Sequence, residues 1–355
     1  MIGQRLKLAR AASGLSLREL QEAIQNRVTA QAIGKYERNE DMPSSGVLIA
    51  LSRALGVSED YVLATDELVL DGVEFRKKSI ASKREEAFVE GRALHLLERY
   101  LILEDVLGLA SVVWDRPRDA PYPVHAVADA ENAARAIRIH WGLGIDPIPN
   151  LAELLEECGI KVLSVDLSDI DGLTARVRRK GGDPIPVIVV KENIWAERKR
   201  FTLAHELGHM LMDIRPGVNS EAAANRFAGA FLMPVEALWR EIGKQRTMIS
   251  LGELLGLKEL FGASFHAIVY RCHDLKIIGD AVCRRLFQAF NEKGWRKPPY
   301  QEPGAIPAAA EQPRRMERLC FRALAEGLIS ESKAAEVLGI SVRELSQRMD
   351  QPSMV

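Results

Sequence analysis

Apolar residues recur at helical spacing through the first sixty positions, broken at short intervals by capping and turn residues. The first such run, from Ile2, closes at Gly14. A second starts at Ser16 with Glu19 three residues on, the arrangement of a capping box. Thr29 precedes a third, and a fourth follows Pro43, with Leu48, Leu51 and Leu55 on one face and Gly56 at its end. Ser58 then opens a last short turn. Five short helices in about sixty residues make a complete small α domain. A longer pattern from Lys83 to Leu109 repeats Leu94, Leu97 and Leu101 on one stripe. It follows a basic stretch that begins at Arg76-Lys77-Lys78, and it reads as a connector packed on its neighbours or as a dimerisation helix.

From about Asp129 the pattern mixes. Helical runs at Glu131–Trp141 and Leu151–Cys158 precede three strand-like runs: Ile160–Val165, Gly172–Val177 and Ile185–Val190. Helix resumes from Glu197, and the Pro-rich Gly294–Pro313 reads as a linker or surface loop before a helical tail. The expected fold is mainly α with an α+β central domain holding a small antiparallel or mixed sheet. Four parts are expected: 1–66, a five-helix domain; 67–128, a helical connector; 129–280, the α+β domain; 281–355, a C-terminal helical region with the Pro-rich linker.

Composition narrows the classes. The chain has 355 residues, 47% hydrophobic and 27% charged, with a formal net charge of -1. It is therefore no polybasic binder, and contact with nucleic acid must use a local surface. The start lacks an apolar leader and no run is long enough to span a bilayer, so a cytoplasmic location without membrane contact is expected. Cys158, Cys272, Cys283 and Cys320 show no CxxC spacing and read as buried, reduced thiols.

The densest chemistry lies in ERKRFTLAHELGHMLMD. His205 and His209, four apart, share one helix face and can hold a single Zn2+. Glu206 stands beside them as a general base for water. A catalytic zinc needs a third protein ligand, and SEAAANRFAGAFLMP offers Glu221 on a following helix, with Asn225 on the same face. HELGH followed by EAAANRFAGAFLMP resembles the ImmA/IrrE-type metallopeptidases over roughly Pro149–Gly279. That resemblance implies a zincin-like fold, zinc ligation by His205, His209 and Glu221, and Glu206 as catalytic base. It also implies cleavage of a repressor or similar regulatory protein. His266 and His273 read as structural, or else as donors to an oxyanion.

GLSLRELQEAIQNRVTAQAIGKYERNE resembles the helix-turn-helix of Xre/Cro/phage-repressor proteins. The resemblance places Ile33 and Tyr36 inside. Thr29, Gln31, Lys35 and Arg38 are then expected to face double-stranded operator DNA. Acidic and basic residues nearly balance here, so specific binding is expected to need a homodimer on two half-sites. KAAEVLGISVREL near the C-terminus also has a helix-turn-helix flavour, but reads better as a packed helical element. Two functions fit these modules. One is a DNA-binding regulator with a zinc endopeptidase site, active or latent. The other is an antitoxin-like or sensor regulator with a toxin partner, whose peptidase fold only binds.

Overall fold

The computed structural model describes residues 2–63, 68–74, 83–166, 171–179, 183–295 and 302–350. The basic run Arg76–Lys78 and positions 296–301 of the Pro-rich segment lie outside the described residues. No helix among the described residues is long and apolar enough to cross a membrane.

The N-terminal unit is built of α1 (Ile2–Ala12), α2 (Leu17–Ala23), α3 (Ala30–Glu37), α4 (Ser45–Leu55) and α5 (Glu59–Leu63). Its punctuation is the one read from the sequence. The Ser16 hydroxyl accepts from the Glu19 N–H while the Glu19 carboxylate accepts from the Ser16 N–H. Thr29 caps α3 by accepting from the Ala32 N–H. Gly56 closes α4 at φ +66°, a left-handed position that glycine adopts at no steric cost. Leu6, Leu20, Ile24, Ile33, Tyr36, Leu51 and Leu55 fill the core of this unit.

Next come β1 (Leu68–Glu74) and the long α6 (Lys83–Val106), so the segment expected as a helical connector also supplies a strand. The central region runs β2 (Tyr122–Val124), α7 (Ala130–His140), α8 (Leu151–Glu157), β3 (Lys161–Val165), β4 (Gly172–Arg179) and β5 (Ile185–Lys191). It continues with α9 (Ala196–Leu211), β6 (Met212–Ile214), α10 (Ser220–Leu232), α11 (Val235–Ile242), α12 (Leu251–Phe261) and α13 (Phe265–Asp274). Four helices end the chain: α14 (Asp280–Glu292), α15 (Arg315–Ala325), α16 (Glu331–Leu338) and α17 (Val342–Asp350).

The main sheet is mixed, in the order β1-β4-β5-β3. β3 runs parallel to β5, whereas β4 is antiparallel to both β5 and β1. Alternation along β5 sends Val187 and Val189 to one face and Ile188 and Val190 to the other. On the first face they meet Val89, Leu94, Leu97 and Leu101 of α6. On the second they join the larger core containing Leu203, Ala204 and Leu207 of α9. β5 is therefore buried on both sides, which is why it reads as a continuous apolar run.

α6 also carries the two ends of the chain. Toward the N-terminal unit, Gly91 lets α1 approach so closely that a Cβ would lie 2.8 Å from the Ala12 nitrogen. Arg5 pairs with Glu98 at 3.0 Å in the same contact, and Tyr61 sits edge-on to His95. Toward the C-terminus, Tyr100 and Leu103 pack with Leu319, Cys320, Ala323, Val337 and Leu345. Gly339, left-handed at φ +71°, turns α16 into α17. The tail thus has the shape of a helix-turn-helix but is packed as a structural element. The Pro-rich segment is likewise no free surface loop at its described end. Glu302 reaches Lys258 and the Phe265 N–H, and the fully buried Glu311 grips Arg200 and the Ala152 N–H. Two carboxylates that must find partners in the core strap it down. All four cysteines are free thiols and buried.

A polar knot ties α6, α8 and α15 together. Lys161 pairs with Glu104 at 2.5 Å and lies 3.9 Å from the centre of the Tyr100 ring. The Tyr100 hydroxyl donates to Glu156, which also faces the Arg315 N–H. Burial pushes the Glu156 carboxyl up to about 7, against a hydrogen bond from Tyr100 that pulls it down. Glu156 therefore binds its proton more tightly folded than unfolded, where its ordinary value of 4.5 applies. The resulting stabilisation is complete below the lower value and is lost as pH rises through the upper one. Glu156→Gln is expected to flatten the dependence of the unfolding midpoint on pH across that window. Thermal unfolding at stepped pH checks this, and an unaltered slope would count against it.

Candidate metal centre on α9 and α10

α9 begins after Trp195 and buries Ala196, Thr202, Leu203, Ala204, Leu207 and Leu211. With that face held in the core, His205 and His209 project together one turn apart. Their rings meet edge-on at 4.8 Å, and the two Nε2 atoms stand 3.0 Å apart. α10 starts from Asn219, whose side chain caps it by accepting from the Ala222 N–H; Ser220 is its first residue rather than its cap. Glu221 in its first turn brings Oε1 to 3.4 Å from His209 Nε2 and Oε2 to 3.7 Å from His205 Nε2. Phe227, Ala228 and Phe231 anchor the rest of α10 in the core.

Glycine makes this reach possible. A Cβ on Gly208 would sit 2.9 Å from Phe227 Cδ1, so the glycine inside HELGH lets α10 lie directly on α9. Gly172 does the same on the sheet side. A Cβ there would come within 2.6 Å of Thr202 Cγ2 and 3.3 Å of Glu206 Cγ. The start of β4 therefore lies against α9 beside Glu206, which is itself buried.

The donor set fits a divalent zinc. Nitrogen and oxygen donors about 2.0–2.1 Å from a tetrahedral zinc stand roughly 3.3 Å from one another. The donor atoms of His205, His209 and Glu221 all lie within 4.8 Å of one another, and their shortest separations are 3.0, 3.4 and 3.7 Å. His205 Nδ1 donates to Asn225 Oδ1 at 2.8 Å, which leaves the Nε2 lone pair directed at the other two donors. His205 is sealed at 1% side-chain exposure, while His209 at 17% and Glu221 at 36% keep the centre accessible from their side. A zinc held there would have three protein ligands and one open side.

Asn225 is the participant for which the sequence reading had no role. Its spacing of four from Glu221 was the available signal, since one helix face presents both. His266 and His273 are engaged elsewhere, His266 beside Glu302 and His273 with Asp280 at 2.6 Å.

In the N-terminal unit, Gln31, Lys35 and Arg38 are exposed along α3 and line a shallow groove with Leu17, Arg18, Ala30 and Gly34. Thr29 spends its hydroxyl oxygen on the cap of α3. Arg38 makes a two-pronged contact with Glu40, and that hydrogen bond holds its guanidinium above the usual arginine range. Gln31 and Lys35 thus stay exposed on α3, while Arg38 is partly neutralised by Glu40.

Family comparison covers both regions. Residues 155–273 match the peptidase M78 model, the IrrE N-terminal-like domain, and residues 6–62 match a helix-turn-helix model. The chain joins a helix-turn-helix domain to an IrrE-type metallopeptidase-like domain. Comparison with curated proteins and with solved structures gives no match. The IrrE-type match contains the HELGH helix and all of α10, so the candidate metal centre belongs to the matched region.

Gly208 gives a test of the α9–α10 contact. Gly208→Ala forces the fully buried Phe227 ring to give way, an overpacking cost of about 1–3 kcal/mol. The unfolding midpoint is expected to fall, and Phe227→Leu in the same chain should recover part of the loss. A midpoint indifferent to Gly208→Ala would contradict the packing.

Proposed function

We propose that the chain is a DNA-binding transcriptional regulator whose IrrE-type domain is a zinc-dependent endopeptidase acting on a repressor or other regulatory protein. The observation that carries this reading is the convergence of His205, His209 and Glu221 at tetrahedral spacing, with Glu206 on the same helix. Bound there, zinc would supply Lewis acidity to a peptide carbonyl and would acidify an attacking water.

The chain's own residues divide the remaining work. Asn225 holds the His205 ring in the tautomer that ligates. Glu206 takes the proton from water as the new C–O bond forms. It then returns that proton to the amide nitrogen as the C–N bond breaks. Burial of Glu206 between α9 and the start of β4 keeps its proton traffic away from bulk solvent. No side-chain nucleophile is required.

Purified protein is expected to hold about one zinc per chain by elemental analysis, and His205→Ala to lose it. Glu206→Gln should keep the metal yet cleave unfolded casein at least about 100-fold more slowly. Metal-free wild-type protein would remove the zinc reading. Metal with equal activity in Glu206→Gln would remove the general-base role.

For the helix-turn-helix domain, the proposal is that Gln31 and Lys35 read the major groove of an operator. A homodimer would place two copies of α3 one helical turn apart. Gln31→Ala with Lys35→Ala is expected to weaken binding to the DNA upstream of the protein's own gene by about ten-fold or more, at about 1–3 kcal/mol per lost base contact. Quantitative footprinting reads this out, and an unchanged footprint would exclude α3 as the reading helix.

A further inference from the structure

Backbone pairing with a sheet edge is a general way to hold an extended peptide. Resting on the peptidase reading above, the question becomes which edge lies beside the metal centre. α9 packs across β4 and β5, and it is the first residue of β4, Gly172, that abuts Glu206. One side of β4 is bonded to β5. Its other side is occupied by β1.

We propose that β1 is the resident occupant of the β4 edge on which an extended peptide substrate would dock, and that it slows the peptidase without silencing it until it is displaced.

Register supports this. β1 runs antiparallel to β4, with Leu68 opposite Arg179, Asp71 opposite Arg176 and Glu74 opposite Thr174. A peptide in the same register would bring its next residues level with Gly172, and hence with Glu206. A peptide added instead outside β1 would lie one strand spacing, about 4.8 Å, farther away. Pairing slips by one residue between Asp71 and Glu74. Such a bulge leaves a residue unpaired and disrupts the ladder, so the resident strand is weakest at the end beside the metal centre. β1 also lies on the chain between the helix-turn-helix domain and α6, so a change in how that domain sits can pull on it.

The edge has a chemical preference as well. Arg176 and Arg178 are exposed, and strand alternation sets them on the α9-facing side with Gly172 and Thr174. A docked segment therefore gains from acidic residues at alternate positions. The resident strand places Asp71 opposite Arg176.

The probe is a fluorescein-labelled peptide of sequence LVLDGVE, corresponding to residues 68–74, added to the full chain. Val69→Pro with Leu70→Pro removes a backbone donor of either alternation and releases β1. By fluorescence anisotropy this variant is expected to bind the peptide at least about ten-fold more tightly than wild type. Its zinc content and circular dichroism should be unchanged. In parallel, Asp71→Cys with Arg176→Cys is expected to form a cross-strand disulfide that abolishes residual peptide binding until dithiothreitol restores it. Equal binding by wild type and the proline variant, or binding indifferent to the disulfide, would overturn the proposal. If the proline variant does not fold, the disulfide arm alone decides. Casein cleavage separates the two readings. A released variant that binds peptide but leaves casein intact sinks the peptidase reading and spares the edge assignment.

Discussion

Burial of α6 on almost every side is the constraint from which the rest of the arrangement follows. A single 24-residue helix closes one face of the central sheet, seats α1 of the helix-turn-helix domain, and receives the C-terminal helices. Its surface is divided by residue size. Gly91 admits a neighbouring backbone, the leucines at 94, 97 and 101 fill the sheet interface, and Tyr100 and Leu103 turn to the tail. Charges that such crowding traps are paired, Arg5 with Glu98 and Lys161 with Glu104. Removing one member of a trapped pair costs more than the pair contributes, because its partner stays buried without compensation. These pairs therefore fix which surfaces meet more than they add to stability.

The same economy operates at the metal centre. Two glycines set the spacing, Gly208 between α9 and α10 and Gly172 between α9 and β4. Close approach brings Glu221 across to the two imidazoles and Asn225 to the outer nitrogen of His205. Side chains on rigid, deeply packed helices hold their geometry without ordering on binding, which suits a centre that polarises a bond. The accessible side belongs to His209 and Glu221, and the sheet side to Glu206. If the centre is a peptidase, what occupies the edge of β4 bears on access to it.

Much of this was legible in the chain. Capping residues at Ser16, Thr29 and Gly56 marked helix ends because their signals are local: a hydroxyl or a left-handed turn acts within four residues. The candidate metal-binding trio was equally legible, since His205 and His209 share one helix and Glu221 opens the next. Asn225 was visible only as a neighbour of Glu221 on one face. Its role depends on where α10 crosses α9, and spacing along one helix does not contain that.

Sequence alone therefore determined most of the helices and the three central strands, the mixed α and β character of the centre and the chemistry of the donor set. Each of these follows from hydrogen bonds and periodicities that close over a few residues. Tertiary structure decided the rest. It turned part of the expected connector into a strand, strapped the Pro-rich segment through Glu302 and Glu311, and packed the tail on α6. Strand pairing between residues 68–74 and 174–179 spans about a hundred positions, and burial of Glu311 depends on Arg200 far away along the chain. Such contacts are settled by which surfaces remain uncovered once the local elements have formed.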